Sequence, residues 1–232
     1  MNDVSDPRLL IVETSGRVGQ VALALGDRLL RERRLDETRR HARDLAPAVA
    51  ELLNAESWTP RDVHGVVVGH GPGSYTGLRV GIMAAKVFAY ATGAALIAVD
   101  TFAAIALQAP EPAIRLDVLA DAQQERIYVQ SFARDATTGA WNAISPLAIQ
   151  EVGKWLDTRQ QDGWVSGPGL RPYGNRLPSR SQILDSASWD PQPGSLLCLG
   201  LAKFRNGQRD DPLTVEPIYL RPSAAEEQWK KR

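Results

Sequence analysis

The chain has 232 residues, 44% of them hydrophobic and 23% charged, which is the make-up of an ordinary soluble globular protein of one or two domains. Its 27 Lys and Arg balance 27 Asp and Glu. That excludes a surface basic throughout, as a protein built to coat nucleic acid or an anionic membrane would have. A single cysteine, Cys198, excludes an intramolecular disulfide framework and a multi-cysteine zinc site, and fits a reducing cytoplasm.

The opening residues, Met1 to Pro7, carry acids where a secretory signal carries bases, so no targeting signal is expected. Leu9 to Val12 is a continuous apolar run of the kind buried on both faces of a sheet. Val18 to Leu25 is a second strand, and Gly26-Asp27 turns it into a third, Arg28 to Leu35. A helix follows over about 41–55, where Leu45, Val49, Leu52 and Leu53 make one apolar stripe. Val66 to Val68, between Gly65 and Gly69, is a short buried strand. After the turn Gly71-Pro72-Gly73-Ser74, in which Ser74 is placed to cap a helix, a second helix runs from about Thr76 to Ala91. Leu96 to Val99 is a strand and Thr101 to Leu107 opens a helix. The uncharged apolar run between Lys86 and Asp100 is 13 residues long and broken by Gly93, too short to span a bilayer.

This β-β-β-α-β-α-β-α order implies a mixed sheet with helices packed on it. Ala109-Pro110-Glu111-Pro112 is the natural linker, which divides the chain into 1–109 and 110–232. Beyond it, Ile114 to Ala120 and Arg126 to Phe132 flank a polar turn at Gln123-Gln124. Trp164 to Ser166 reads as a strand, Gly167-Pro168-Gly169 as a turn and Ser195 to Phe204 as a helix, whereas 170–194 gives no periodic pattern. The second half thus opens as the first does, which points to two related subdomains.

The most specific segment is Gly71-Pro72-Gly73-Ser74-Tyr75-Thr76-Gly77, continuing to Gly81. A glycine-rich loop between strand and helix can aim backbone N–H groups at an anion, or can be a tight turn that lets the helix pack closely. It is neither a Walker A loop nor a dinucleotide fingerprint. From Val80 to Ala95 the only charge is Lys86, so this helix is covered on more than one side, by this chain or by another. Gly77, Gly81 and Ala85 give it a small-residue edge. Two readings stand together here: a purely intramolecular core, or half of a four-helix bundle completed by a partner.

Residues 28–43 hold seven arginines against three acids. They could meet RNA phosphate, or form a solvated edge strand and turn. His41, His64 and His70 show no metal-binding spacing, no GxSxG elbow occurs, and Cys198, among leucines, reads as an inert core thiol. Asp121 ends a strand where it could orient a ligand, though an Asp in a turn is ordinary.

The run from Gly69 to Gly81 resembles the signature of the bacterial TsaB (YeaZ) family. Ile11-Val12-Glu13-Thr14-Ser15 is similar to that family's opening strand and turn, and the helix beginning at His41 to its first helix. Asp121-Ala122 with Tyr128 resembles the start of its second half, and Glu216-Pro217-Ile218-Tyr219-Leu220-Arg221 its C-terminal motif. The resemblance implies an α/β, two-lobed actin-like (ASKHA, RNase H-like) fold and a cytoplasmic, non-catalytic subunit. Such a subunit pairs with a TsaD-like catalytic protein and a TsaE-like ATPase to form N6-threonylcarbamoyladenosine at position 37 of tRNAs reading ANN codons. An ATP-binding or ATP-hydrolysing enzyme of the actin-like superfamily is the alternative.

It further implies a partner interface at His41, Leu45, Val49, Leu52, Gly77, Arg79, Gly81, Ile82, Ala85, Lys86 and Tyr90, with a homodimer through the same helices as the other assembly. Glu13, Thr14, Ser15, Asp121, Gly167 and Gly169 would be the remnant of a nucleotide site. The histidine pair that helps hold metal in TsaD is replaced here by Thr101 and Ile105, Glu13 stands where Asp is usual, and Glu125-Arg126 where Gly-Glu is usual. These departures argue against a metallopeptidase and against independent transfer activity, and no metal or cofactor is expected.

Overall fold

The computed structural model describes residues 6–36, 41–160 and 162–220, with the side chains of residues 41 and 42 left aside. Two mixed sheets organise the chain. The first has strand order β3-β2-β1-β4-β5 and is built from β1 (Arg8–Glu13), β2 (Gln20–Leu25), β3 (Arg28–Arg34), β4 (Gly65–Gly69) and β5 (Ala95–Val99). The β1–β2–β3 meander is antiparallel, and β1, β4 and β5 run parallel. The second sheet has order β11-β10-β6-β7-β8, from β6 (Arg115–Asp121), β7 (Arg126–Arg134), β8 (Trp141–Ala143), β10 (Trp164–Ser166) and β11 (Gln182–Ile183), while β9 (Ala148–Glu151) also pairs with β7. Here too the first pairing, β6–β7, is antiparallel and the β6–β10–β11 pairings are parallel. The same connectivity occurs twice, which is the two-lobed RNase H-like pattern.

Period-two alternation explains how each sheet is covered. Leu10 and Val12 face one side with Val21, Leu23, Val66 and Val68, beneath helices α1 (His41–Ala55) and α2 (Tyr75–Thr92). Leu9 and Ile11 face the other side with Ala22, Val67 and Ile97, beneath α6 (Pro193–Arg205) through Leu196, Leu197 and Leu201. In the second lobe, α3 (Thr101–Ala106) supplies Phe102 and Ile105 against Leu116, Val118 and Phe132. The opposite face packs Leu119, Ile127, Val129 and Val165 against α4 (Val152–Thr158) and α5 (Leu170–Tyr173).

The two sheets exchange their covering helices. Helix α3 lies within 1–109 but packs on the second sheet, and α6 lies within 110–232 but packs on the first. The Pro-rich stretch at 110–112 therefore lies between α3 and β6, both of which build the second lobe, and does not separate two independent cores. Gln108 ties the crossing. Its Nε2 donates to the carbonyls of Ser188 and Asp190, each at 3.0 Å, and its Oε1 accepts from the Gln192 N–H and the Ser195 hydroxyl.

Candidate functional site

The glycine-rich loop joins β4 to α2 and is held from three directions. The Ser74 N–H donates to the Ser15 carbonyl at 2.8 Å, and the Thr101 N–H donates to the Gly71 carbonyl at 2.9 Å. The Gly71 N–H in turn donates to Thr101 Oγ1 at 3.1 Å. From the C-terminal segment, the Ile218 N–H donates to the His70 carbonyl at 2.9 Å. Ser74 caps α2, its Oγ accepting from the Gly77 N–H at 3.2 Å. The N–H groups of Gly71, Ser74 and Gly77 are thus committed to protein acceptors. Of the two readings of this loop, these bonds are those of a tight turn.

The glycines let α2 approach the end of β1. A Cβ on Gly77 would stand 2.0 Å from the Thr14 carbonyl oxygen, one on Gly81 2.1 Å from Thr14 Oγ1, and one on Gly73 2.6 Å from Ser15 Cβ. Thr14 completes the join, its hydroxyl donating to the Gly77 carbonyl at 2.8 Å. The expected interface residues divide accordingly. Leu45, Leu52, Gly77, Gly81, Ile82 and Ala85 are buried within this chain and Val49 is half-buried beside them. Gly77 and Gly81, on the small-residue edge of α2, meet Thr14, and Leu45, Val49, Leu52, Ile82 and Ala85 pack together in the core of the first lobe. The His41 side chain lies outside the described residues.

What α2 offers outward is different. Met83, Val87 and Tyr90 are 60%, 59% and 84% exposed and recur at i, i+4 and i+7, one stripe of the helix. Lys86 is half-exposed at its flank, and the neighbouring α1 exposes Ala46, Pro47 and Ala50. At the start of α2, the exposed Arg79 guanidinium lies 4.1 Å from the Tyr75 ring centroid and donates through Nε to the Tyr219 hydroxyl at 2.9 Å. The Tyr75 and Tyr219 rings stand 4.9 Å apart. The tertiary fold thus joins the glycine motif to the C-terminal Pro217-Ile218-Tyr219 segment, a pairing with no local signal in the sequence beyond the two motifs themselves.

The residues of the expected nucleotide remnant fall into two groups. Glu13, Thr14 and Ser15 end β1, and Glu13 is 1% exposed. Its Oε1 accepts a short bond from the Ser15 N–H, and its Oε2 has no hydrogen-bond partner. Burial, reinforced by the nearby Asp190 carboxylate, lifts its pKa from 4.5 to about 7 against the bonds from Ser15 and Gly16. The second group packs around β6. Gly167, at φ 108°, and Gly169 lie against the backbone of Leu119, where a Cβ on Gly167 would stand 2.2 Å from the Leu119 carbonyl. Asp121 Oδ1 accepts from the Gln123 N–H at 2.8 Å and from the Tyr173 hydroxyl at 3.2 Å. Between the two groups, Arg171 of α5 pairs with Asp190, whose carboxylate lies beside Gly16.

Thr101 is 2% exposed and its hydroxyl braces Gly71, while Ile105 is fully buried in the core beside Phe102, so neither presents a ligand. Among the described residues no group of three His, Cys, Asp or Glu is placed to hold a metal ion, and no helix is long and apolar enough to cross a membrane. Cys198 corrects its expectation. It sits on the outer side of α6 and is exposed, because Leu196, Leu197 and Leu201 take the side facing the sheet. Arg28, Arg31, Arg33 and Arg34 lie exposed on the edge strand β3, with Arg31 paired to Glu56 and Arg33 to Glu51 across from α1.

Three comparisons bear on this architecture. A family profile described as TsaD, tRNA N6-adenosine threonylcarbamoyltransferase, matches residues 28–165, from β3 through β10. The tRNA threonylcarbamoyladenosine biosynthesis protein TsaB of Bacillus subtilis is 26% identical, covering 95% of this chain and 97% of its own. Its Escherichia coli counterpart is 27% identical, covering 83% of this chain and 84% of its own. The solved structure of YeaZ from Pseudomonas aeruginosa superposes with a TM-score of 0.78 at 26% identity, over 92% of this chain and 100% of that one. With a profile match over more than half its length and with TsaB and YeaZ relatives matched over most of it, the chain belongs to the tRNA N6-adenosine threonylcarbamoyltransferase (TsaD) family, on its TsaB (YeaZ) branch.

Proposed function

We propose that this chain is a non-catalytic subunit of a cytoplasmic tRNA-modifying complex. It binds a TsaD-like catalytic subunit, works beside a TsaE-like ATPase, and supports formation of N6-threonylcarbamoyladenosine at position 37 of tRNAs reading ANN codons. The observation that carries this reading is the outward stripe of α2. Met83, Val87 and Tyr90 leave a contiguous apolar surface on a helix already anchored to its own core by Gly77 and Gly81. Chemistry of its own lacks support. The positions that would hold metal are a hydroxyl engaged with the backbone and an isoleucine, and the Gly71, Ser74 and Gly77 N–H groups of the glycine loop already have protein acceptors.

The test is a reconstituted modification reaction containing the cognate synthase, the TsaD-like and TsaE-like proteins, L-threonine, bicarbonate, ATP and unmodified tRNA. Modified adenosine is expected only when this chain is present, and none when the TsaD-like protein alone is omitted. Replacing both Met83 and Tyr90 with Glu is expected to lower co-purification with the TsaD-like protein at least about tenfold, the loss of two buried anchors, while leaving the melting temperature within a few degrees. Full yield without this chain would reject the role. Unchanged co-purification of the double variant would move the interface elsewhere.

A further inference from the structure

The α4 face of the second sheet does not close over its whole area. Leu119, Ile127, Val129 and Trp155 fill one part. Beyond them β6, β7, the 144–150 segment and the end of α4 surround a cavity of about 330 Å³, the size of a site for a small molecule. Its walls mix apolar groups, among them Leu116, Phe132 and Ile144, with a cluster of polar and charged ones. Asp117, Ser131, Ser145, Gln150 and Arg159 line it, with Trp155 at its inner side.

Arg159 is the unusual member. It is 9% exposed, and its guanidinium lies 5.4 Å from the Trp155 ring centroid. It donates through Nη2 to the Gly163 carbonyl at 2.9 Å and, at the long distance of 3.5 Å, through Nη1 to the Ser181 hydroxyl; its Nε has no partner. Among the described residues no carboxylate forms an ion pair with it, although Asp117 and Asp162 attract it from further away. A buried cation with no counter-charge in contact is costly, and an anion brought into the cavity would offset that cost. Asp117 on the same wall would repel a simple anion. Its Oδ1 accepts the Ser131 hydroxyl at 2.6 Å, which leaves the carboxylate's second oxygen for a cation. The Ser145 Oγ accepts from the Ser131 N–H at 2.8 Å, so its own proton is available to a ligand. Guanidinium and carboxylate in one small cavity call for a ligand with both charges.

We propose that this cavity binds a free α-amino acid, its carboxylate drawn to Arg159 and its ammonium to Asp117, with Ser145 and Gln150 contacting the side chain. The site is independent of the α2 face and does not rest on the partner role.

Isothermal titration of the full chain with the standard L-amino acids, each singly, tests it. Trp155 indole resonances, assigned by Trp155→Phe, report where the ligand sits. At least one amino acid is expected to bind and to shift the Trp155 signals. The corresponding N-acetyl amino acid, which lacks the ammonium, and the amino-acid amide, which lacks the carboxylate, are each expected to bind at least about tenfold more weakly, the loss of one charged contact. Asp117→Asn should weaken the amino acid about tenfold and leave the N-acetyl compound unchanged. Arg159→Gln should weaken both the amino acid and the N-acetyl compound. Should Arg159→Gln fail to fold, Asp117→Asn carries the test alone, its fold checked by circular dichroism. No binding by any amino acid overturns the proposal. So does equal binding of the N-acetyl compound, which would make the cavity a plain carboxylate site, or binding that leaves Trp155 unmoved.

Discussion

Glu13 is a carboxyl group closed inside the protein at the end of β1, satisfied on one oxygen and bare on the other. Its pKa of about 7 in the fold, against 4.5 ordinarily, makes it a destabilising group at high pH. Between those two values the unfolded chain has released the proton that the folded chain still holds. Stability therefore falls as pH rises through this window, by up to about 3 kcal/mol above it. Glu13→Gln keeps an acceptor for the Ser15 N–H and removes the charge. Urea midpoints are expected to place the variant about 1–3 kcal/mol above the parent near pH 8 and close to it near pH 4.5. Parallel pH dependence in the two proteins would show that Glu13 is not the group responsible. The sequence singled out Glu13 only by resemblance, as an unusual residue in a familiar turn. Its burial follows from the close approach of Gly69, where a Cβ would stand 2.1 Å from Oε2, and no local pattern encodes that distance.

At the scale of elements, helix α2 shows why glycines in a helix can be essential. Glycine normally weakens a helix by about 1 kcal/mol against alanine, yet Gly77 and Gly81 occupy the turns that meet Thr14. Gly77→Ala puts a methyl group into the Thr14 carbonyl and is expected to cost about 3 kcal/mol, read as a lower melting temperature. Gly153, exposed in α4 with no atom within 4 Å of an added Cβ, is the contrast. Gly153→Ala should stabilise by about 0.5–1 kcal/mol. Equal effects at the two positions would refute the packing role of Gly77. The apolar pattern of α2 announced a helix covered on two sides, and the i, i+4, i+8 spacing announced a small edge. Which side met this chain was not legible, because periodicity reports that a face is apolar and not what covers it. Hence the small edge, expected at a partner, lies on Thr14, and the exposed stripe is the larger Met83, Val87 and Tyr90.

For the whole molecule, the exchange of α3 and α6 between sheets makes the lobes mutually dependent, and the C-terminal segment seals what remains open. Strand β5 is an edge, and an uncovered edge invites pairing with another chain. Here the Asp210 N–H donates to the Leu96 carbonyl at 2.9 Å, Asp210 Oδ2 accepts from the Ala98 N–H at 2.8 Å, and Lys203 Nζ donates to the Ala98 carbonyl at 2.7 Å. Asp210→Ala leaves the Ala98 N–H without its acceptor, an expected loss of about 1–3 kcal/mol, together with light scattering on heating that the parent lacks. A variant that melts like the parent and stays clear would show the edge to be protected without this carboxylate.

The sequence by itself determined the order of elements through α3, the β6–β7 hairpin, β10 and α6, because hydrophobic period, glycine and proline act over a few residues. It also carried the family likeness, since the Gly69–Gly81 run is contiguous. Short elements between 141 and 183 had no period long enough to read: β8 has 3 residues, β9 has 4 and β11 has 2. Tertiary structure alone decided which sheet each helix covers, that Cys198 faces outward, that Arg79 meets Tyr219 across 140 positions, and that the buried Arg159 lines the same cavity as Asp117. Each of these depends on two segments distant in sequence meeting in space, and a local pattern specifies a surface without specifying the surface it meets.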